Sequence, residues 1–233
     1  MLVLIPAYLS PEANVDEIAP VIRDYIRSID HYFVENEKTA RRIIKFLCPE
    51  KVQAELKLYL LDKDTVVSEL SDAQDLLKSG VDFGVLSEAG MPCIADPGHI
   101  IVRWAHQHQI KVLPLTGPSS ILLTLISSGF IGQQFTFHGY LPIDKSQRRA
   151  QILQMESVVN KAGYTQIFME TPYRNNALIE DLVKNLSPET SLCIAANLTH
   201  PKSESIKTLK VKEWRKKKVD FHKIPAVFAI GRT

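Results

Sequence analysis

Short apolar runs alternate along this chain with longer segments in which apolar residues recur every three or four positions. The short runs predict buried β-strands, and the longer segments predict amphipathic α-helices. In the first half, the predicted strands are residues 2–5, 31–34, 58–61, 83–86 and 111–115. The helices predicted in this half by the same criterion are residues 15–28, 39–47, 66–78 and 118–129.

The alternation continues in the second half, with strands predicted at 135–138, 165–169, 191–196 and 226–230 and helices at 146–160 and 173–186. Strands separated by helices indicate an α/β fold with mostly parallel sheets, here with an antiparallel edge in the second half. A second series of alternating strands and helices begins after residues 116–118. We therefore predict two α/β domains, an N-terminal one over residues 1–115 and a C-terminal one over residues 116–233.

Composition narrows the class of protein. The chain has 233 residues, of which 45% are hydrophobic, enough for a sizeable core. Its three cysteines are far apart and form no CxxC pair, so neither a zinc site nor a disulfide framework is predicted, and a reducing compartment fits best. The apolar start is too short for a signal peptide, and no apolar run approaches the ~20 residues that span a bilayer. We expect a cytoplasmic protein without a membrane segment.

Charge is distributed unevenly. The net charge is only +2, but residues 201–223 contain nine Lys or Arg against three acidic residues, a surplus of six, so the other 210 residues carry −4. A basic cluster of this kind attracts phosphates, as nucleic-acid-binding surfaces do. It is also compatible with an ordinary solvated helix and loop.

Two strand ends carry the strongest candidate chemistry. The strand at 83–86 runs into SEAGMPCIADPG at 87–98, and the strand at 111–115 runs into TGPSS at 116–120. In parallel α/β sheets such loops lie at the carboxyl ends of strands, where nucleotide-like ligands bind, and glycine permits close backbone approach. The alternative is a pair of ordinary turns that lead into helices. The absence of GxGxxG, GxxxxGK[ST], HExxH and GxSxG disfavours dehydrogenases, P-loop enzymes, zincins and α/β-hydrolases.

Three further strand ends carry polar residues. Residues 35–41 supply Glu35 and Arg41, and residues 170–174 supply Glu170 and Arg174, each offering a carboxylate and a guanidinium near a predicted pocket. A capped helix start and a surface ion pair are the alternatives. His200 follows the strand at 191–196 and is a candidate general base, or a solvated loop residue.

Taken together, these stretches resemble the tetrapyrrole-methylase superfamily of S-adenosylmethionine (SAM) dependent methyltransferases. Within it they are similar to the RsmI-type branch, which methylates a ribose 2′-hydroxyl of a cytidine in small-subunit ribosomal RNA. The matching stretches, in chain order, are ENEKTAR (35–41, EDTR-like), SEAGMPCIADPG (87–98), TGPSS (116–120, PGPSA-like), SGF (128–130), FHGYLP (137–142), ETPYR (170–174, ESPHR-like) and NLTH (197–200, ELTK-like).

The resemblance implies two α/β domains with SAM held in a cleft between them, and usually a homodimer. It implies that both glycine-containing loops and one residue of the NLTH stretch hold the cofactor. The expected SAM-binding residues are Ser87, Glu88, Ala89, Gly90, Met91, Pro92, Ile94, Ala95, Asp96, Thr116, Gly117, Pro118, Ser119, Ser120 and Asn197.

Three stretches depart from the family pattern. The loop at 6–11 is PAYLSP where a TPIGN-like loop is usual, residues 61–65 replace a His/Glu/Asn-rich stretch, and His200 replaces a lysine. These positions lie where acceptor RNA or catalytic polar groups are expected. The chain therefore resembles the family more closely in its cofactor-binding stretches than in these three stretches.

The expected activity is SAM-dependent methylation of a ribose 2′-hydroxyl of small-subunit ribosomal RNA, without a metal. The expected catalytic residues are Glu35, Glu170 and Arg174, with Arg41 also holding phosphate. A methyltransferase of the same fold that acts on a small molecule or protein remains an alternative, as does a SAM- or RNA-binding relative that has lost catalysis. A dehydrogenase is only weakly supported, because the first strand lacks the glycine fingerprint.

Overall fold

The computed structural model describes residues 1–62, 65 and 70–232, with residue 17 described by its backbone alone. The chain divides into two compact units, Met1–Ser119 and Ser120–Thr233. The division falls four residues beyond the boundary predicted from the sequence. Each unit is a five-stranded sheet with helices packed against it.

The first unit contains a wholly parallel sheet. Its strands, in chain order, are β1 (Leu2–Ile5), β2 (His31–Val34), β3 (Lys57–Leu60), β4 (Phe83–Leu86) and β5 (Val112–Pro114). They are arranged in the order β3-β2-β4-β1-β5, and every pairing between them is parallel. The helices are α1 (Pro20–Ser28), α2 (Glu37–Leu47), α3 (Ser71–Lys78) and α4 (His99–Gln107).

Alternation along the strands gives this sheet two buried faces. In β1, Val3 and Ile5 pack into one apolar cluster with α1 and α2, whereas Leu2 packs into a second cluster with α3 and α4. Successive strand residues point to opposite faces, so a sheet covered by helices on both sides needs apolar residues at every position. The sequence LVLI of β1 satisfies this requirement.

A proline divides the first predicted helix. The segment 15–28 contains a 3₁₀ turn at Val15–Glu17, capped by the Asn14 side chain, and α1 then starts at Pro20. Proline lacks an N–H and is favoured in the first turn of a helix, so it starts a helix better than it continues one. The predicted helix 66–78 is described as α3 from Ser71; residues 66–69, and residues 63 and 64 of the divergent stretch at 61–65, lie outside the described residues.

The second unit contains a mixed sheet. Its strands are β6 (Phe135–Tyr140), β7 (Thr165–Met169), β8 (Ser191–Ala196), β9 (Ser205–Lys210) and β10 (Ala226–Gly231), in the order β6-β7-β10-β8-β9. Only the β6–β7 pairing is parallel among these strands. The antiparallel part is therefore larger than the edge predicted from the sequence. The helices are α5 (Ser120–Ser128), α6 (Lys145–Ala162), α7 (Asn175–Asn185) and α8 (Val211–Trp214).

Helices cover both faces of this second sheet. Phe168 and Phe228 stack with ring centroids 5.9 Å apart in a core that includes residues of α6 and α7. Their strand neighbours Ile167 and Val227 point to the other face, where they pack with Ile121 and Leu125 of α5. Part of the basic segment 201–223 also belongs to the sheet, because β9 pairs with β8 along its whole length.

Candidate functional site

Four strands of the first sheet end at one edge and lead into the loops singled out in the sequence. The register aligns Ile5 with Leu86, Val34 with Leu86, and Leu4 with Pro114. The loops that begin at residues 6, 35, 87 and 115 therefore leave the sheet side by side. This is the edge at which open parallel α/β sheets bind ligands.

Backbone hydrogen bonds fasten the loop after β4 to the loop after β1. The N–H of Ala7 donates to the Gly90 carbonyl at 2.9 Å, and the N–H of Gly90 donates to the Ala7 carbonyl at 3.2 Å. The buried Ser87 hydroxyl donates to the same Gly90 carbonyl at 2.7 Å. Gly90 has φ +70°, a left-handed conformation that glycine adopts at little cost.

The loop after β5 packs closely on the same two loops. A Cβ atom at Gly117 would lie 2.2 Å from Cβ and 2.4 Å from Cγ of Pro6. These distances are too short for any side chain to fit at this position. A Cβ at Gly90 would lie 3.0 Å from Leu9 Cδ2 and 3.2 Å from the Pro118 carbonyl oxygen. The two glycines thus allow the three loops to meet.

Asp96 stabilises the second half of the loop after β4 through hydrogen bonds to its backbone. Its Oδ1 accepts hydrogen bonds from the N–H groups of Cys93 and Gly98, each at 2.8 Å. Burial raises the pKa of Asp96, while these two N–H groups act in the opposite direction. Cys93 and Ala95 have φ values of 68° and 60°, an uncommon conformation for residues other than glycine. Asp96 therefore holds this turn in shape.

The predicted SAM-binding residues of this loop differ in exposure. Glu88, Ala89, Ile94 and Ala95 are exposed, whereas Ser87, Gly90 and Pro92 are buried and support the loop from within, and Met91 is intermediate. In the loop after β5, Thr116 is exposed and Ser119 is buried, with Gly117 and Pro118 between these extremes. A bent loop with an exposed crest suits a ligand that is bound through backbone groups.

Glu35 lies immediately after β2 and next to this loop. Burial raises the pKa of Glu35 from 4.5 to about 7, and the negative charges of Asp96 and Glu88 add to the effect. A carboxyl group with a pKa near 7 is suited to accept a proton at neutral pH.

The neighbouring residues of the 35–41 stretch have structural contacts. Asn36 caps α2, its side chain accepting the Thr39 N–H at 3.0 Å. Arg41 Nη1 donates to the Gln53 carbonyl at 2.6 Å. The capped helix start considered for this stretch is therefore present, and Arg41 is engaged with backbone.

In the second unit, Glu170 and Arg174 form an ion pair after β7. Arg174 donates from Nε at 3.0 Å and from Nη2 at 2.5 Å to Glu170 Oε1, which also accepts the Thr171 N–H at 2.7 Å. The Glu170 side chain is only 2% exposed, and that of Arg174 is 35% exposed. The carboxylate thus holds the guanidinium at the surface of the unit.

The NLTH stretch forms a second tight loop in this unit. Asn197 and Thr199 have φ values of 49° and 65°, and Asn197 Nδ2 donates to Ser203 Oγ at 3.1 Å. Glu204 Oε2 accepts the Thr199 N–H at 2.7 Å, which ties the end of the loop to its start. His200 Nδ1 accepts the N–H of Lys202 at 3.1 Å and helps to shape the loop.

One polar group of this loop was not singled out from the sequence. Thr199 Oγ1 is buried and has no hydrogen-bond partner within the described parts of the chain. An unpaired buried hydroxyl is uncommon in a native protein, and a bound polar ligand is one explanation for it. Threonine in a loop gives no signal of this kind in a sequence, because its exposure and partners depend on the fold.

The predicted residues therefore form two groups. Glu35, residues 87–96 and residues 116–119 lie in the first unit, and Ser120, Glu170, Arg174 and Asn197 lie in the second. Across residues 1–62, 65 and 70–232, no group of three or more His, Cys, Asp or Glu is arranged to hold a metal ion, and no helix is long and apolar enough to cross a membrane.

The fold and the loops define an α/β protein whose strand-end loops meet at one edge of a parallel sheet, and sequence comparison places it in a family. The family described as Tetrapyrrole (Corrin/Porphyrin) Methylases matches residues 12–213. The chain belongs to this family. The matched region begins beyond β1 and the Pro-Ala-Tyr loop that follows it.

Curated relatives carry a consistent name. The chain is 28% identical over 190 residues to "Ribosomal RNA small subunit methyltransferase I" of Vibrio cholerae, covering 82% of this chain and 63% of that protein. Proteins of the same name from Buchnera aphidicola and Thermotoga maritima are each 27% identical, covering 89% and 82% of this chain and 71% and 81% of their own lengths. The chain thus spans less than two thirds of the Vibrio relative.

Solved structures share the fold. Diphthine synthase superposes with a TM-score of 0.68 at 14% identity, covering 99% of this chain and 89% of that one. The methyltransferase CobJ superposes with a TM-score of 0.61 at 14% identity, covering 94% of this chain and 89% of that one. The α/β fold predicted from the family resemblance is confirmed.

Proposed function

We propose that this protein is a SAM-dependent methyltransferase that acts on a ribose 2′-hydroxyl of small-subunit ribosomal RNA. The observation that carries the proposal is the assembly of three strand-end loops, at 6–9, 87–98 and 116–119, in a chain of the tetrapyrrole methylase family. The names of the curated relatives support the choice of RNA as acceptor.

SAM supplies an electrophilic methyl group when it is bound. In the first unit, the exposed crest of the loop at 87–96 and the turn at 116–119 are the proposed cofactor contacts. Ser87, Gly90 and Asp96 would act by holding these loops in shape, since their hydrogen bonds are made within the loops. In the second unit, Ser120 and Asn197 remain predicted contacts. The buried Thr199 Oγ1, which has no hydrogen-bond partner among the described residues, supports a polar ligand near Asn197.

Glu35 is the proposed general base. Its carboxyl group lies at a strand end beside the cofactor loop, and its pKa of about 7 allows it to take the proton that the hydroxyl loses. Burial is the main cause of this raised pKa, and the negative charges of Asp96 and Glu88 add to it. Positioning of the acceptor contributes the larger share of such a displacement.

Glu170 and Arg174 are proposed to act together. Arg174 would bind phosphate or substrate oxygen, and Glu170 would fix the guanidinium through the two hydrogen bonds described above. Arg41 is less suited to phosphate binding than its sequence position suggested, because Nη1 is engaged with the Gln53 carbonyl.

The test is methyl transfer from radiolabelled SAM to small-subunit RNA, followed by mass-spectrometric mapping of the modified nucleotide. We expect a ribose methyl group to appear, and Glu35→Gln to slow transfer on the order of 100-fold at unchanged SAM affinity. Glu37→Gln, an exposed acid two residues away, is the matched control and should transfer normally.

Three other outcomes have distinct meanings. Transfer to a small molecule or protein but not to RNA would leave the methyltransferase assignment and reject the acceptor. SAM binding measured by calorimetry without transfer to any acceptor would indicate a relative that has lost catalysis. Absence of SAM binding would reject the proposal.

The homodimer implied by the family resemblance and the cytoplasmic location predicted from composition also remain proposals. Exposed apolar side chains on α5, Leu122 at 49% and Ile126 at 75%, support an association surface. Sedimentation velocity tests the first of these, and cell fractionation tests the second.

A further inference from the structure

An exposed tyrosine with two basic neighbours lies after β7, beyond the Glu170–Arg174 pair. Tyr173 is 69% exposed and occupies the 3₁₀ turn Pro172–Arg174. The His222 ring meets it edge-on, with centroids 5.9 Å apart, and Lys223 Nζ lies 5.9 Å from the Tyr173 ring centroid. We call Tyr173, His222 and Lys223 the tyrosine platform.

A set of hydrogen bonds holds the two segments that form the platform. The Lys223 N–H donates to the Pro172 carbonyl at 3.0 Å, which ties the two segments of the platform together. Asn176 Oδ1 accepts the Phe221 N–H, and Asn176 Nδ2 donates to Asp220 Oδ1, each at 2.8 Å. An exposed ring on a braced support loses little entropy when it binds a partner.

Lys223 itself adopts an uncommon backbone conformation. Its φ is 61°, in the left-handed region that residues other than glycine seldom adopt. The hydrogen bond to Pro172 stabilises this conformation, and the side chain lies over the Tyr173 ring.

The surrounding segment is strongly basic. Lys216, Lys217 and Lys218 are exposed and connect α8 to the residues that brace the platform. Two other bases of the segment have local partners: Lys212 pairs with Glu189 at 2.7 Å, and Arg215 Nε donates to the Val183 carbonyl at 2.7 Å. The three consecutive lysines therefore concentrate positive charge a few residues before His222 and Lys223 of the platform.

We propose that the tyrosine platform stacks an unpaired base of the RNA substrate, while Lys223 and the lysines at 216–218 contact its phosphates. This inference rests on the proposed function and names the surface that would receive the RNA. Exposed aromatic rings beside lysines are the usual means of binding single-stranded nucleic acid, because every base has a face that can stack. An intact duplex keeps its bases stacked on each other and does not offer them to such a ring.

The experiment is fluorescence anisotropy of a labelled single-stranded RNA oligonucleotide titrated with the full chain at several salt concentrations. Tyr173→Ala should weaken binding on the order of tenfold without changing the salt dependence, and Tyr173→Phe should bind like the unmodified protein. Lys223→Asn removes the charge with a residue that tolerates the left-handed conformation. It should reduce the slope of log affinity against log salt by about 0.7.

Matched controls come from the opposite end of β7. Tyr164→Ala and Lys161→Ala remove an aromatic ring and a lysine from the region that precedes this strand, and both should bind RNA normally. A duplex of the same sequence should bind more weakly than the single strand and should be insensitive to Tyr173→Ala.

The outcomes separate this inference from the proposed function. If Tyr173→Ala binds single-stranded RNA as well as the unmodified protein does, or if Tyr173→Phe is as weak as Tyr173→Ala, the stacking platform is wrong. Methyl transfer and SAM calorimetry on the unmodified protein report on the proposed function independently. Equal loss of RNA binding in Tyr164→Ala would show that the effect is not local and would also overturn the platform.

Discussion

The two units present their strand-end residues by different means. In the first unit, the loops after β1, β4 and β5 are fastened to one another by backbone hydrogen bonds and by glycines that leave no room for a side chain. In the second unit, the stretches after β7 and β8 are fastened by side chains, with Glu170 holding Arg174 and Glu204 holding the backbone of Thr199.

The difference follows from what each set of residues is proposed to bind. A cofactor held through backbone groups needs a loop of fixed shape, and glycine is the residue that permits such a shape. An acceptor with phosphates is bound by charged side chains, which must themselves be oriented. We therefore expect substitutions in the glycine-containing loops of the first unit to act through shape and those at the ion pair of the second unit to act through charge.

The largest effect is expected at Gly117. Gly117→Ala would place a methyl group 2.2 Å from Pro6 Cβ, so the loop after β5 must move. We expect a loss of about 3 kcal/mol in the free energy of unfolding and loss of SAM binding. Urea denaturation and calorimetry measure the two. Gly132→Ala is the control, since its nearest neighbour would be at 3.9 Å; equal losses in both variants would contradict the packing argument.

A smaller and asymmetric effect is expected at the ion pair. Arg174→Ala leaves the Glu170 carboxylate, 2% exposed, without its cation, whereas Glu170→Gln leaves a guanidinium that still reaches solvent. We expect Arg174→Ala to cost about 2 kcal/mol of stability and Glu170→Gln about half as much. Thermal and urea unfolding of the two variants give the comparison. A larger loss of stability in Glu170→Gln than in Arg174→Ala would show that the buried Glu170 carboxylate does not need Arg174 to offset its charge.

The smallest effect is expected from Glu35 and depends on pH. Its pKa is about 7 in the folded protein against an ordinary 4.5, so the folded state binds the proton more tightly than the unfolded state. The stabilising effect of the protonated form is complete below about pH 4.5 and is lost as pH rises through 7. After allowance for solvent screening, it amounts to about 1 kcal/mol.

Glu35→Gln should remove this dependence. We expect the difference in unfolding free energy between the unmodified protein and the variant to change by that amount between acidic and mildly alkaline pH. Glu37→Gln, at an exposed position of α2, should show no such change. A difference that stays constant with pH would argue against a perturbed carboxyl at Glu35.

Much of the first unit could be predicted from the sequence. Its strands are short runs such as LVLI and FGVL, apolar at every position, which is what a sheet buried on both faces requires. The glycines in the loops marked the places where chain segments approach closely. The roles inside those loops were less predictable, because the two hydrogen bonds accepted by Asp96 depend on left-handed turns at Cys93 and Ala95.

The second unit was harder to predict. The strand β9 has the sequence SIKTLK, whose alternation fits a strand, but its lysines belong to a basic run that suggested a solvated helix and loop. It forms a strand because β8 provides six paired positions for it. The extent of antiparallel pairing was missed for a related reason: strand direction depends on how a connection crosses the sheet, which local pattern does not record.

The reciprocal pair of hydrogen bonds between Ala7 and Gly90 has a consequence for how this protein can vary. Both bonds are made by main-chain atoms, so they survive the replacement of most side chains around them. The loop after β1 can therefore carry Pro-Ala-Tyr-Leu-Ser-Pro instead of the usual family sequence and still meet its neighbour. The divergence of this loop is therefore largely a change of buried side chains, since Ala7, Tyr8 and Ser10 are at most 5% exposed, made around a main-chain contact that no side chain supplies.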